Sequence, residues 1–165
     1  MKKIQLFSLI SLMFISLSNA QWSIDPFENN PISTEANDQY LPIIISDGSG
    51  GAIITWYDFR NGSHYDIYAQ RINSSGEVQW TSNGVPVSTA ANEQSYPKIT
   101  SDGSGGAIIT WQDFRNGSNP DIYTQKVSSA GLVQWTANGV PVSIAANGQY
   151  SPIIINDGSG GAIIT

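Results

Sequence analysis

Asp58 and Arg60 stand two residues apart in the run Trp56-Tyr57-Asp58-Phe59-Arg60, and Asp113 and Arg115 repeat the arrangement after Trp111. On an extended chain, residues two apart point to the same side. A carboxylate and a guanidinium beside a tryptophan could address a sugar, or could form an ion pair that locks a turn between structural units. Catalysis needs such a pair once, whereas this one recurs almost unchanged, so the pattern predicts the structural role. The turn Asp47-Gly48-Ser49-Gly50-Gly51 offers oxygens to a calcium ion, which takes six to eight. It lacks the further acidic positions of a calcium loop, and it reads as a tight turn built from residues that tolerate positive φ. His64 is replaced by Asn119 at the equivalent later position and reads as a surface loop residue. The DGSGG glycines are followed by neither a helix nor Lys-Ser/Thr, so they make no phosphate loop. Asn61-Gly62-Ser63, Asn73-Ser74-Ser75 and Asn116-Gly117-Ser118 fit the glycosylation sequon, but Asn-Gly is also ordinary turn chemistry.

The 165 residues carry 7 Lys+Arg against 13 Asp+Glu, a formal net charge of −6. An acidic chain lacks the clustered cations that a nucleic-acid groove requires. There is no cysteine, which excludes disulfides, thiolate metal sites and cysteine nucleophiles, and one histidine excludes any site needing two imidazoles. No cofactor motif is present. Hydrophobic residues make up 40% and charged residues 12%, so the chain can build a core.

Met1 to Ala20 has a positive start at Lys2 and Lys3, an apolar stretch from Ile4 to Leu17, and small residues at Ser18 and Ala20. This is the pattern of a secretory signal peptide over 1–20, cut before Gln21. The expected location is extracellular or periplasmic. Removing the two lysines leaves 5 basic and 13 acidic residues, a net charge of −8. The rest of the chain has no second long apolar run, so no membrane span is expected in the mature protein.

What positions the paired residues is a repeat. Asp47, Asp102 and Asp157 recur at intervals of 55 residues. Ser46–Ser63 and Ser101–Ser118 differ only at Tyr57 against Gln112, and the same interval pairs Asp66-Ile67-Tyr68 with Asp121-Ile122-Tyr123. Each unit reads as four strands: Leu41–Ser46, Ala52–Tyr57, Tyr65–Ile72 and Glu77–Thr81, with Val85–Ser88 leading onward. The strand at Ala52–Tyr57 is nearly continuously apolar, as suits burial on both faces. An antiparallel meander of this kind cannot bury both faces alone. Stacking copies solves that, and a period near 50 with four strands fits a β-propeller blade. The fold class expected is all-β, with tandem four-stranded antiparallel blades. The organisation expected is a partial repeat over 21–40, units over 41–93 and 94–148, and a truncated unit over 149–165, from a longer protein. Gln21-Trp22 followed by Pro31-Ile32-Ser33-Thr34 echoes Gln79-Trp80 followed by Pro86-Val87-Ser88-Thr89.

The run Asp47-Gly48, Ala52-Ile53-Ile54, Asp58, Arg60, Gly62 and Asp66-Ile67-Tyr68 resembles the repeat of TolB-type (WD40-like) propellers. Asp102, Ala107, Asp113, Arg115, Gly117 and Asp121-Ile122-Tyr123 resemble it equally. The units here are longer than that family's usual blade, and Trp56/Trp111 and Asn61/Asn116 are additions. The pattern is also similar to repeats of secreted, adhesin-like bacterial surface proteins. These resemblances imply a six- or seven-bladed propeller used for protein or glycan contact; they do not imply an enzyme. Sialidase-like propellers repeat an S-x-D-x-G-x-x-W box, which the nine-residue step from Asp47 to Trp56 does not match.

The function expected is therefore a non-catalytic binding or structural surface. The alternative is part of a secreted carbohydrate-active enzyme with catalytic residues elsewhere, and a third reading is a TolB-type periplasmic adaptor. Adjacent units are expected to pack through Ile53, Ile54, Trp56, Ile67 and Tyr68 and their partners, the tryptophans filling the space between them. Exposed Trp rings would instead be sugar platforms. The units diverge where His64-Tyr65 becomes Asn119-Pro120, and variable loops on a rigid scaffold are where recognition sits.

Overall fold

The structure, a computed structural model, describes residues 29–165. The signal segment and the Gln21-Trp22 echo lie outside the described residues. Two four-stranded antiparallel sheets follow one another. The first runs in the order β1 (Gln39–Ser46), β2 (Ala52–Asp58), β3 (Asp66–Ile72), β4 (Val85–Ser88). The second is β5 (Gln94–Ser101), β6 (Ala107–Asp113), β7 (Asp121–Val127), β8 (Val140–Ser143). A hairpin of β9 (Ile154–Asn156) and β10 (Ala162–Ile164) begins a third copy. The sheets are open, and no helix occurs among the described residues. Gln39 and Tyr40 belong to β1, and residues 29–38 contain no strand.

Each turn is closed by local chemistry. Asp47 Oδ1 accepts the backbone N–H groups of Ser49 and Gly51, both at 2.8 Å, and Asp102 and Asp157 hold Ser104/Gly106 and Ser159/Gly161 in the same way. The carboxylate thus supplies acceptors to amides that the tight turn leaves unpaired. A bulge lies between Tyr40 and Ile43 in β1 and between Ser95 and Lys98 in β5. Leu41 and Tyr96, each followed by proline, adopt φ of 46° and 53° there.

The fourth strand differs from the sequence reading. Glu77–Thr81 makes only an isolated bridge, Val78 to Ile72, and the outer strand is Val85–Ser88. The reason is Gln70, which is fully buried. Its Oε1 accepts the Trp80 N–H at 3.0 Å and its Nε2 donates to the Thr81 carbonyl at 2.8 Å. The side-chain amide stands in for a strand partner and turns the chain outward; Gly84 N–H then closes on Thr81 O, and the chain returns along β3. Gln125 does the same to Trp135 and Thr136.

Packing is head to tail. Alternate side chains of a strand face opposite ways. Ile53, Ile67 and Ala69 of the first sheet form one core with Ile109, Trp111 and Tyr123 of the second. Ile54, Trp56 and Ile72 point the other way and pack on Ile32 and Tyr68. So the two faces of a unit carry different duties: the Ile53-type face meets the following unit, and the Ile54/Trp56/Tyr68-type face meets the preceding one. A heterologous contact of this kind propagates from copy to copy. The first strand of the second sheet, β5, touches β1, β2 and β3 on one side and β9 on the other.

Polar contacts fix the stack. Trp80 Nε1 donates to Ser129 O at 3.0 Å, and Arg71 Nη1 reaches the same carbonyl at 3.2 Å. The Trp80 ring lies over Gly131, where an added Cβ would come within 2.7 Å of Cγ. Thr34 N–H donates to Asn83 Oδ1, and one period later Thr89 N–H donates to Asn138 Oδ1, each at 2.9 Å.

Candidate functional site

The repeated acidic and basic residues are occupied within their own sheet. Asp58, fully buried, accepts from Trp56 Nε1 at 2.7 Å, Arg60 N–H at 2.8 Å, Arg60 Nε at 2.9 Å and Arg60 Nη2 at 2.7 Å. Arg60 Nη2 also donates to Asn83 O at 2.9 Å, and its guanidinium carbon sits 3.6 Å from the centre of the Tyr68 ring. Asp113, Arg115, Trp111, Asn138 and Tyr123 repeat every one of these contacts. The sequence placed this pair in a turn between units; it instead ties the β2–β3 turn to the approach to β4 inside one unit, because Arg60 folds back across Tyr68. Burial works to raise the Asp58 carboxyl, but the Arg60 side chain, the Trp56 indole and the Arg60 amide outweigh it and hold the pKa below the usual value. An ionised carboxylate with its oxygens spent this way has nothing left for a substrate.

Asp47 is similarly engaged, through its turn amides and Arg71 Nη2 at 2.7 Å. Burial again pushes its carboxyl up, and the Ser49 amide, Arg71 and the Gly51 amide together pull it below its usual value. Asp102 has Lys126 Nζ at 3.4 Å in place of Arg71. Among the described residues no three His, Cys, Asp or Glu side chains gather as a metal site. Asp66 and Asp121 each accept a hydrogen bond from the preceding turn, through Asn61 at 2.8 Å and Asn116 at 2.7 Å. Asp66 Oδ1 is buried and has no hydrogen-bond partner among the described residues; His64 Nδ1 lies 3.4 Å away without hydrogen-bond alignment. Burial raises the Asp66 carboxyl, against the lowering pull of His64 and Asn61.

Trp56 is 3% exposed and Trp111 is fully buried, so neither ring offers a face to a sugar. Trp111 lies between the two sheets, while Trp56 packs on the side of Ile32. Of the four loop residues singled out from sequence, His64 and Tyr65 are partly buried, Asn119 is exposed and Pro120 is buried. Asn119 lines a polar depression of about 330 Å³ together with Asp121 and Asn147.

Tyr65 belongs to a cluster that sequence reasoning missed. Tyr57 meets Tyr65 edge-on at 4.9 Å between ring centres, Tyr40 in a stacked pair at 5.9 Å, and Tyr96 at 6.0 Å. Phe59 closes on Tyr65 at 5.0 Å. Tyr40 and Tyr96 are 43% and 50% exposed, which makes them the outward faces of the group. The Tyr40 hydroxyl donates to Asp38 Oδ2 at 3.0 Å, and that hydrogen bond, with the Asp38 charge, pushes its phenol pKa up. Burial, then the proximity of Tyr96, Tyr65 and Glu93, pushes Tyr57 up as well. Four of these five aromatics have no aromatic counterpart one period later, where Ser95, Gln112, Pro120 and Ser151 stand. The signal was present in the sequence as the Tyr57-to-Gln112 exchange.

Comparison with family models, curated proteins and solved structures finds no match to the chain. Among the described residues no helix is long and apolar enough to cross a membrane.

Proposed function

We propose that this chain is an exported repeat module of β-propeller type, resembling TolB-type repeats, that acts without catalysis as a binding surface for a protein or glycan. The observation that carries the reading is the division of labour between positions. The repeated polar residues, Asp47, Asp58, Arg60 and their counterparts, are consumed in holding turns and strands. The residues that differ between units, Tyr57, His64 and Tyr65 among them, gather at one end of the first sheet. A rigid scaffold with variable surface positions is the usual arrangement of a recognition protein. The head-to-tail use of the two sheet faces, with β5 touching both β1 and β9, supports a radial arrangement of units.

The test has three parts. The immobilised chain is screened on a glycan array and against purified envelope proteins, where saturable binding is expected. Turnover of fluorogenic sialosides or other glycosides by the chain would overturn the non-catalytic reading. Fusion of residues 1–20 to a reporter active only after export should give activity, and an inactive, retained reporter would refute the exported location.

A further inference from the structure

We propose that the tyrosine cluster spanning the first two sheets binds a neutral oligosaccharide, with Tyr40 and Tyr96 as stacking platforms. The inference rests on the binding-surface reading and names the ligand class of that surface.

The cluster sits where the second sheet adjoins the first, not on an outer face. Tyr57 lies on the Ile53 side of β2 and packs against the core shared by the two sheets. Tyr96 comes from the second sheet, at the bulge that opens β5. A bulge re-aims a side chain, and here it lays an exposed ring beside Tyr57. Tyr57 touches both exposed rings, so Tyr40 and Tyr96 are separated by no more than the sum of two ring-to-ring contacts. Tyr65 braces Tyr57 from the β2–β3 turn, and Phe59 backs Tyr65. The result is two outward aromatic faces held at a fixed spacing by a partly buried third.

The chemistry around the rings selects the occupant. Exposed tyrosine faces take the C–H face of a pyranose, and their hydroxyls exchange hydrogen bonds with its hydroxyls. Asp38, bonded to Tyr40, and Glu93, close enough to influence Tyr57, are acceptors when ionised. They suit a ligand rich in O–H donors. A proline-rich peptide, with its missing N–H groups, has few donors to give them. The chain's net charge of −6 disfavours sialylated or sulfated glycans.

Isothermal titration of the 165-residue chain with neutral gluco-, manno- and N-acetylglucosamine oligosaccharides tests the proposal. Sialyllactose, a heparin fragment, a proline-rich peptide and oligolysine are the comparators. The expected result is binding to a neutral oligosaccharide that is insensitive to salt. Tyr96→Ala and Tyr40→Ala should each weaken it about tenfold, as loss of one aromatic stacking contact implies. Tyr96→Phe should bind nearly as well as the parent, and Trp135→Ala, an exposed aromatic elsewhere (38%), should leave affinity unchanged. Both tyrosines are surface residues, so the circular dichroism spectra should match the parent's. Neutral-sugar binding that survives both tyrosine substitutions overturns the assignment of the site while sparing the glycan-binding function. Preference for the acidic glycans, the peptide or salt-sensitive oligolysine overturns the ligand class. Failure of every sugar alongside saturable binding of an envelope protein overturns this inference and leaves the surface-module reading standing.

Discussion

Replacing Asp113 by Asn removes one charge and keeps the shape, in a side chain with no solvent exposure. Its two oxygens accept four donors: Trp111 Nε1 at 2.8 Å, Arg115 N–H at 2.9 Å, Arg115 Nε at 2.8 Å and Arg115 Nη2 at 2.6 Å. An amide has one oxygen. In either orientation its NH2 group faces two of those donors, so two hydrogen bonds become donor-donor contacts. Arg115, 19% exposed, is also left without its counter-ion. Breaking a buried ion pair from one side costs about 3–5 kcal/mol. Arg115 keeps the Asn138 carbonyl and the Tyr123 ring, which favours the low end, about 3 kcal/mol. Urea unfolding followed by tryptophan fluorescence reads this as a lower midpoint at unchanged slope. The double variant Asp113→Asn/Arg115→Met should be less destabilised than the sum of its single substitutions. A loss below about 1 kcal/mol, or strict additivity, would refute the structural role given to the pair and return it to the list of ligand-binding candidates.

Trp80 and Trp135 hold the same place in successive units, but Trp80 is 7% exposed and covers Gly131 of the next unit, whereas Trp135 is 38% exposed. Trp80→Ala should therefore cost about 3–5 kcal/mol and Trp135→Ala well under half of that, measured by urea unfolding. Gly139 has a φ of 84°, and a Cβ there would sit 2.5 Å from Trp111 Cη2, so Gly139→Ala should destabilise by more than about 2 kcal/mol; Gly62, at φ 73° with open space around it, should lose only about 1 kcal/mol on the same change. The pH profile has a definite sign. Asp47 and Asp58 have lowered carboxyl pKa values when folded, so their contribution is complete above the unfolded carboxylate pKa near 4 and is lost as pH falls below it toward the folded values. Thermal melts should hold from pH 7 to about 5 and fall steeply below about 4, with a shallower fall in Asp58→Asn. Asp66 has the opposite sign: its folded pKa is raised, so ionisation at neutral pH opposes folding, and Asp66→Asn should raise the melting temperature more at pH 7 than at pH 4.

Local chemistry made the strands and turns legible in the amino-acid order. The 55-residue interval, the nearly unbroken apolar run in Ala52–Tyr57 and the Asp-Gly turns are written in the order of the residues, and β2, β3 and the Asp47 turn lie within a residue or so of where they were expected. The outer strand did not, because Gln70 captures Trp80 and Thr81 from ten or eleven residues away, which strand patterning does not encode. The two-residue spacing of Asp58 and Arg60 marks them as a pair but not what the pair ties together, since the contact with Asn83 spans 23 positions. Tertiary packing separates Trp56 from Trp111: their sequence surroundings match except at Tyr57 against Gln112, yet one faces Ile32 and the other is sealed between two sheets. The tyrosine cluster is the strongest case. Pairing of β1 with β2 and the β2–β3 turn bring residues 40, 57, 59 and 65 together within the first sheet, and residue 96 joins them only when the second sheet stacks on it, so ring contact belongs to the assembled sheets and not to any strand taken alone.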